Sequence, residues 1–555
     1  LSAAGDADGA ARAYREALDR DPGFADAYNN LGLLLEARGE QQAAARCFQS
    51  AVAAEPQHVE AQVNLARQLL LAGKPSQALE AFEMVLALDA ALPAVHFGRG
   101  RCLEALNKPG QAETAYRQAI ALRADYAEAL GKLGALLIKG SRATEAAEIF
   151  RRGQDLHPND PKLSANLAKV LEALDDLEGA EVAAKKALAL DPNSSTAQFV
   201  LARLDFRQER FGDARARLEA LLAKPLSDAA KTEALFELGL VLDQLGESTT
   251  AFASFTDANA RRSRSEAARR FDGNRFLTRV EASRAWFTRE RLQVLAARAP
   301  AAREHAPVFF VGFPRSGTTL MERALKAHPG IMTTNERSPL ARVLRGVLRD
   351  GGYPAMLEDL PEERLSDACA RFWSEADSIV GPRDGRILVD KLPLNIVDLG
   401  FANCLFPEAR VVVALRDPRD VCLSCFMQFF RLNDPMVNFL DLERTARTYA
   451  AVMKLWLSYR EALSLPWHEY RYEDLVEDFE GSLRGVLDFI GLAWHDDVAR
   501  YRELVVQQDF ATPSYRQVTR DLYKGAVGRW RAYRQELAPV LPVLAPFAAE
   551  FGYSD

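Results

Sequence analysis

Residues 308–321 read Val308-Phe309-Phe310-Val311-Gly312-Phe313-Pro314-Arg315-Ser316-Gly317-Thr318-Thr319-Leu320-Met321. The apolar run up to Gly312 predicts a short buried strand, residues 313–319 a turn, and residues 320–326 a helix. Strand, glycine-containing turn and helix in that order make a cradle for an anion. The first N–H groups of a helix lack intrahelical acceptors, and they point at whatever sits on the turn. By itself the stretch also fits an ordinary tight turn entering a helix, so its neighbours must decide.

Gly312 and Gly317 stand at the spacing of a nucleotide phosphate loop, but Thr318 occupies the place where that motif requires lysine. The cation is Arg315, inside the loop. Outward from it, residues 387–391, 411–416 and 470–472 predict further strands separated by helical stretches, which implies a parallel α/β sheet. Ligands of such sheets lie at the carboxyl ends of the strands. Arg315, Lys391, Arg416 and Tyr472 all fall at or just past those ends, aiming three cations and an aromatic ring at one crevice. A polyanionic nucleotide fits that set. A kinase dependent on nucleoside triphosphate is the weaker alternative, because the bridging lysine is missing.

The N-terminal part has a different grammar. Ala10, Ala44, Ala78, Ala112, Ala146, Ala180 and Ala214 recur at a spacing of 34. Four residues after each stands Tyr14, Phe48, Phe82, Tyr116, Phe150, Ala184 or Leu218. A second series, Gly32, Ala66, Gly100, Gly134, Ala168 and Ala202, keeps the same period, and Pro22, Pro56, Pro158 and Pro192 share one phase. This predicts stacked helix–turn–helix units in which small residues let paired helices approach and the large residue one turn on fills the space beside them. At residues 224–227 the phase slips by three, so Gly239, Ala251 and Phe255 belong to a last unit. The count is a half unit followed by seven full ones. The pattern resembles the tetratricopeptide repeat, which implies an all-α superhelix with a groove that docks a protein or peptide. A spacer or an arm for homodimerisation is the bland alternative.

Hydrophobic residues make up 48% and charged residues 26% of the 555, a globular composition that calls for more than one core. No apolar run approaches the roughly 20 residues of a membrane span, and no secretory leader is evident. Six scattered cysteines imply a reducing, cytoplasmic compartment rather than a disulfide framework, with Cys422 and Cys425 expected as buried helix residues. Between Arg261 and Glu304, 12 arginines face 5 acids, although the whole chain carries −7. Without a recognition motif this reads as helix surface neutralised by acidic neighbours, not as a nucleic-acid site. The seven histidines show no ligand spacing, so no metal is expected.

With these residues in place, the C-terminal half resembles the sulfotransferases, and within them the tyrosylprotein sulfotransferases, over residues 308–532. Residues 314–321 are similar to the 5′-phosphosulfate loop of the family. Leu415-Arg416-Asp417-Pro418-Arg419-Asp420 with Ser424 is similar to its 3′-phosphate motif. The resemblance implies an α/β P-loop-like sulfotransferase domain using 3′-phosphoadenosine 5′-phosphosulfate. It implies that Arg315, Ser316, Gly317, Thr318 and Thr319 hold the 5′-phosphosulfate, Arg416 and Ser424 the 3′-phosphate, and Tyr472 the adenine. Ser514, Gln517, Val518, Gly525, Ala526, Arg529 and Trp530 match the C-terminal loop register, with Arg529 where the family has a phosphate-binding lysine. Lys524, Gly525 and Gly528 also resemble the C-terminal phosphate loop of cytosolic sulfotransferases.

By the same resemblance Glu336 is the general base, and Lys391 and Ser514 stabilise the transition state. His328 is a rival base, although it stands where the phosphate-loop helix should end. A third family arginine falls at Gln428, with Arg431 nearby on a different helix face. The expected organisation is a repeat array over 1–264, connecting helices over 265–304 and the sulfotransferase domain over 305–555. The acceptor is a hydroxyl, left open among tyrosine, saccharide and small phenol. A catalytically inactive scaffold, with the repeats as its working part, is the alternative from outside the enzymes.

Overall fold

The computed structural model describes residues 6–140, 142–300, 306–348, 351–501 and 524–554. The chain divides into two compact units, Leu1–Leu204 and Asp205–Asp555.

The first unit is all helix. After Ala7–Arg20 come antiparallel pairs of 13 and 14 residues, such as Ala25–Ala37 with Gln41–Ala54 and Ala127–Lys139 with Ala143–Leu156. The 34-residue period is therefore two helices and two short turns, with Pro22, Pro56, Pro158 and Pro192 in the turn that ends each unit. The glycine series records close approach. A Cβ on Gly100 would lie 2.5 Å from the Tyr116 ring, and one on Gly134 would lie 2.4 Å from Phe150. Tyr116 and Phe150 are fully buried, so each glycine and its ring make one fitted contact per unit.

The second unit opens with repeat helices. Asp228–Gln244 and Ser248–Ser263 complete the seventh pair, and they are longer than their predecessors at 17 and 16 residues. The phase slip at 224–227 falls just before the first of them, where Ser227 caps its N-terminus. The pair packs on the transferase core. Phe252 stacks on Phe426 with centroids 5.1 Å apart, and Asn259 Nδ2 donates to the Phe426 carbonyl at 2.9 Å.

Glu266–Arg269, Gly273–Trp286 and Arg289–Ala297 are the connecting helices. Some of the arginines here bind the transferase core. Arg279 pairs with Asp398 at 2.7 Å, Arg289 donates to the Glu461 carbonyl, and Arg262, on the preceding helix, lies 3.9 Å over the Phe429 ring.

The sheet is five-stranded, parallel throughout, in the order β2-β3-β1-β4-β5. Its strands are β1 (Val308–Gly312), β2 (Ile331–Thr333), β3 (Ile387–Lys391), β4 (Arg410–Leu415) and β5 (Trp467–Arg471). Four were expected, with small shifts. β5 ends one residue before Tyr472, which instead opens the helix Tyr472–Glu477, and the phosphate-loop helix starts at Thr318 rather than Leu320. β2 escaped notice because it is a three-residue edge strand with no apolar run. β1 lies at the centre and the chain builds outward on both sides of it, so the crevice at its carboxyl end is the topological switch point.

Candidate active site

Each strand delivers one candidate side chain to the same edge. Arg315 follows β1, Glu336 follows β2, Lys391 ends β3, Arg416 follows β4 and Tyr472 follows β5. The phosphate loop turns at Gly317, whose φ of 86° is the left-handed region open to glycine. A side chain there would meet Tyr472, since a Cβ would lie 2.3 Å from its Cδ2. Ser316, Thr318 and Thr319 are buried under the turn. Arg315 itself has φ 70°, a conformation that costs a non-glycine residue about 1 kcal/mol and is held here by its contacts.

Those contacts join the two phosphate motifs. Arg315 Nε donates to Ser424 Oγ at 3.0 Å, and Arg416 Nη1 donates to the Arg315 carbonyl at 2.9 Å. The Arg416 guanidinium lies 4.8 Å over the Tyr472 ring, and its Nη2 donates to the Ala526 carbonyl at 2.5 Å. Burial, with Arg416 and Arg529 close by, pushes the Arg315 guanidinium down to about 10. Arg416 Nε is buried with no hydrogen-bond partner. A buried orphan donor costs roughly 1–3 kcal/mol, and a cluster of guanidiniums repels itself. Both costs vanish when an anion with several oxygens binds, so the residues present fit a nucleotide bearing more than one phosphate.

The C-terminal segment closes the cluster. Asp420, on the helix Pro418–Phe426, accepts the N–H groups of Gly528 and Trp530, each at 2.7 Å. Burial pushes its carboxyl up to about 6 against the pull of Arg416. Gly525 and Ala526 form a short turn with Lys524, and Arg529 opens the 3-10 turn Arg529–Tyr533. Ser514, Gln517 and Val518 lie outside the described residues, as does the side chain of Lys524.

At the other end of the crevice, Lys391 has no exposed side-chain surface and stands between two carboxylates. Its Nζ is 2.7 Å from Glu336 Oε1 and 2.7 Å from Glu322 Oε2. Burial works against the ammonium, but the two carboxylates outweigh it and hold its pKa above the ordinary value. Glu322 is buried, and burial raises its carboxyl although Lys391 pulls it down. Glu336 is 34% exposed, so it touches both Lys391 and solvent. Its φ is 64° and that of Asn335 is 50°, so the turn after β2 is bent to aim the carboxylate. Asn335 N–H donates to Glu322 Oε1 at 3.2 Å, which ties that turn to the phosphate-loop helix.

Glu322 was not anticipated. Its signal was available: Thr318, Glu322 and Leu325 lie on one helical face, and an acid on a buried face needs a cation. His328 is spent on structure. Its Nδ1 accepts the Gly330 N–H and its Nε2 faces the Ala493 carbonyl, both at 3.0 Å. Gln428 and Arg431 follow the end of Pro418–Phe426, so Arg431 occupies no face of that helix, and it is exposed. Cys422 and Cys425 are free, buried thiols of the same helix, and burial pushes Cys425 up to about 12. Among the described residues no cluster of His, Cys, Asp and Glu could hold a metal, and no helix is long and apolar enough to cross a membrane.

Comparison with known proteins finds family matches to both parts of the chain. The sulfotransferase family model matches residues 307–496, and tetratricopeptide-repeat models match 1–57, 38–93, 97–161 and 171–231. An uncharacterized protein of Aquifex aeolicus is 26% identical over 437 residues, covering 76% of this chain and 55% of its own. Protein-tyrosine sulfotransferase 2 of Gallus gallus is 27% identical over 255 residues, covering 43% of this chain and 68% of its own. Protein-tyrosine sulfotransferase 1 of Danio rerio is 26% identical over 260 residues, covering 44% and 72%. The chain thus spans about half the length of the Aquifex relative. What these matches establish is a chain of tetratricopeptide repeats followed by a sulfotransferase-family domain.

Proposed function

We propose that this chain transfers a sulfuryl group from 3′-phosphoadenosine 5′-phosphosulfate to a hydroxyl of a protein or peptide, with tyrosine the acceptor side chain. The observation that carries the reading is the delivery of Arg315, Glu336, Lys391, Arg416 and Tyr472 to one sheet edge by five successive strands. The names of the Gallus and Danio relatives support tyrosine as acceptor. When bound, the donor supplies a sulfuryl group on a phosphate leaving group, and the protein's part is to position and to balance charge.

Arg416 and Ser424 hold the 3′-phosphate, and Arg315 with the N–H groups at the start of Thr318–Lys326 holds the 5′ side. Glu336 takes the acceptor's proton as the new O–S bond forms and the bond to phosphate breaks. Lys391 offsets the charge that grows on the leaving oxygen. Protonation of Glu336 removes one of the two negative charges around Lys391, and Glu322 then remains as the buried counter-ion that keeps Lys391 oriented and charged. The repeat groove captures the acceptor and raises its concentration near Glu336.

The test is nucleotide discrimination. Calorimetry should find 3′-phosphoadenosine 5′-phosphate bound at least about ten-fold more tightly than AMP, since charge-assisted bonds to a phosphate are worth roughly 1.5–3 kcal/mol. Equal affinity for the two would sink the donor assignment. ATP binding that requires Mg²⁺ would point to phosphoryl transfer instead.

A further inference from the structure

Asp243 lies near the C-terminus of Asp228–Gln244, a helix of the last repeat, far in sequence from the phosphate motifs. Its carboxylate nevertheless grips Arg529 with two bonds: Nε donates to Oδ1 at 3.0 Å, and Nη2 lies 2.6 Å from Oδ2. Tyr533 donates its hydroxyl to the same Oδ1 at 2.6 Å. The pair is well shielded, with side-chain exposures of 18% for Arg529 and 9% for Asp243. Two bonds in one plane fix the orientation of a guanidinium as well as its position.

The backbone that carries Arg529 is anchored separately. Asp420 holds the N–H groups on either side of it, and Arg416 holds the Ala526 carbonyl. Both anchors belong to the 3′-phosphate motif. Asp243 is therefore not needed to place this backbone; what it adds is the direction of the side chain. The Arg529 charge is felt at Arg315, so the guanidinium belongs to the same cationic cluster. Three neighbouring guanidiniums repel, and a carboxylate bonded twice to one of them offsets that repulsion while fixing its direction.

We propose that Asp243 is a positioning residue of the donor site, holding Arg529 in the orientation in which it meets a phosphate of the nucleotide, so that the last repeat is a working part of the transferase. This rests on the donor reading given above. A carboxylate near an anion site also has an opposing effect, since its charge repels phosphate. The proposal therefore has a definite sign: preorganisation outweighs repulsion, and removing the carboxylate weakens binding.

The experiment is calorimetry of the full chain with 3′-phosphoadenosine 5′-phosphate. Asp243→Asn should weaken binding about five-fold or more, less than the loss of a whole charge-assisted bond because Arg529 is misdirected rather than removed. In an Arg529→Ala background the same change should add nothing, because Asp243 acts through Arg529. A merely structural Asp243 would lower the unfolding temperature, yet leave the affinity of the folded fraction unchanged. Unchanged or tighter binding by Asp243→Asn, or an undiminished loss in the Arg529→Ala background, overturns the proposal.

If Asp243→Asn does not fold, Asp243→Glu decides. It keeps the charge beside Arg529 but carries the carboxylate one methylene further, so the guanidinium is held in a different place and the nucleotide should bind several-fold more weakly. Full retention of affinity by Asp243→Glu would mean that a nearby negative charge is enough, and positioning by Asp243 falls. Should the unaltered chain fail to bind this nucleotide, the donor reading itself fails. Should it bind while the variants behave like it, only the role of Asp243 fails.

Discussion

The repeat array and the transferase unit solve the same packing problem with opposite kinds of contact. In the array each helix meets its neighbours in sequence, and one fitted pair, such as Gly134 against Phe150, recurs with the period. Its stability is then close to a sum of local terms, and no single residue is indispensable. In the transferase unit the decisive contacts are buried, charged and distant in sequence. Lys391 meets Glu322 and Glu336, and Asp243 meets Arg529 across 286 positions. Periodic contacts can be lost one at a time, whereas a buried charge that loses its partner costs several kcal/mol at once.

The largest effect expected from this contrast is in truncation. A chain beginning at Asp205 keeps the last repeat helices and should fold and bind nucleotide. One beginning at Arg261 lacks Asp243, Phe252 and Asn259, which together cover Arg529 and the end of Pro418–Phe426. It should lose cooperative unfolding and nucleotide binding altogether. The shorter deletion also tests capture. With residues 1–204 removed, KM for the full acceptor should rise while kcat on a short tyrosine peptide holds. An unchanged KM would make the array a spacer. A nucleotide-binding chain from Arg261 would instead support the boundary at residue 264 that the 34-residue period suggests.

Next in size is the base. Glu336→Gln should cut turnover by roughly 10²-fold while leaving nucleotide affinity nearly unchanged. Glu336 pairs with Lys391 rather than with the 3′-phosphate motif, so steady-state kinetics and calorimetry on one preparation separate proton abstraction from nucleotide binding. Near-normal turnover would put the base elsewhere. His328 is a poor substitute, because both of its ring nitrogens are engaged.

How much of this was legible follows the same division. The array could be read because its information is repeated: seven in-phase alanines leave little freedom. Within the sheet, β1, β3 and β4 announced themselves as apolar runs, and the cations at their ends pointed to an anion. What stayed hidden was pairing between motifs. That Glu322 turns toward Lys391, or that Asp420 clamps Gly528 and Trp530, depends on which strands become neighbours, and nothing local in the chain states it. Asp243 was hidden most deeply, since it sits in a repeat whose period gives it no special place.

The smallest effect is in pH, where the two regions should respond with opposite sign. Burial raises Asp390 and Asp420 from an ordinary 3.8 to about 6. Between those values the folded state holds protons that the unfolded chain has released, so stability falls as pH rises from about 4 to 6. In the array burial tends to raise Glu104 and Glu113, but Lys139 and Lys132 on the one, and Arg142 and Arg117 on the other, outweigh it and lower both below 4.5. Their contribution is present above that value and is lost as pH falls through the depressed pKa. The two can be watched separately, because all six tryptophans, Trp286, Trp373, Trp456, Trp467, Trp494 and Trp530, lie beyond residue 204. Tryptophan emission reports the transferase unit alone, whereas circular dichroism at helical wavelengths includes the array. Going from pH 6 to 4.5, the emission midpoint should move up relative to the helical one. His468, whose pKa burial lowers, works the other way, so the slope is cleanest as the difference between the unaltered chain and Asp390→Asn. If that substitution leaves the pH slope of the emission midpoint unchanged, Asp390 does not hold its proton in the folded state, and the contrast between buried and ion-paired carboxylates loses its sharpest example.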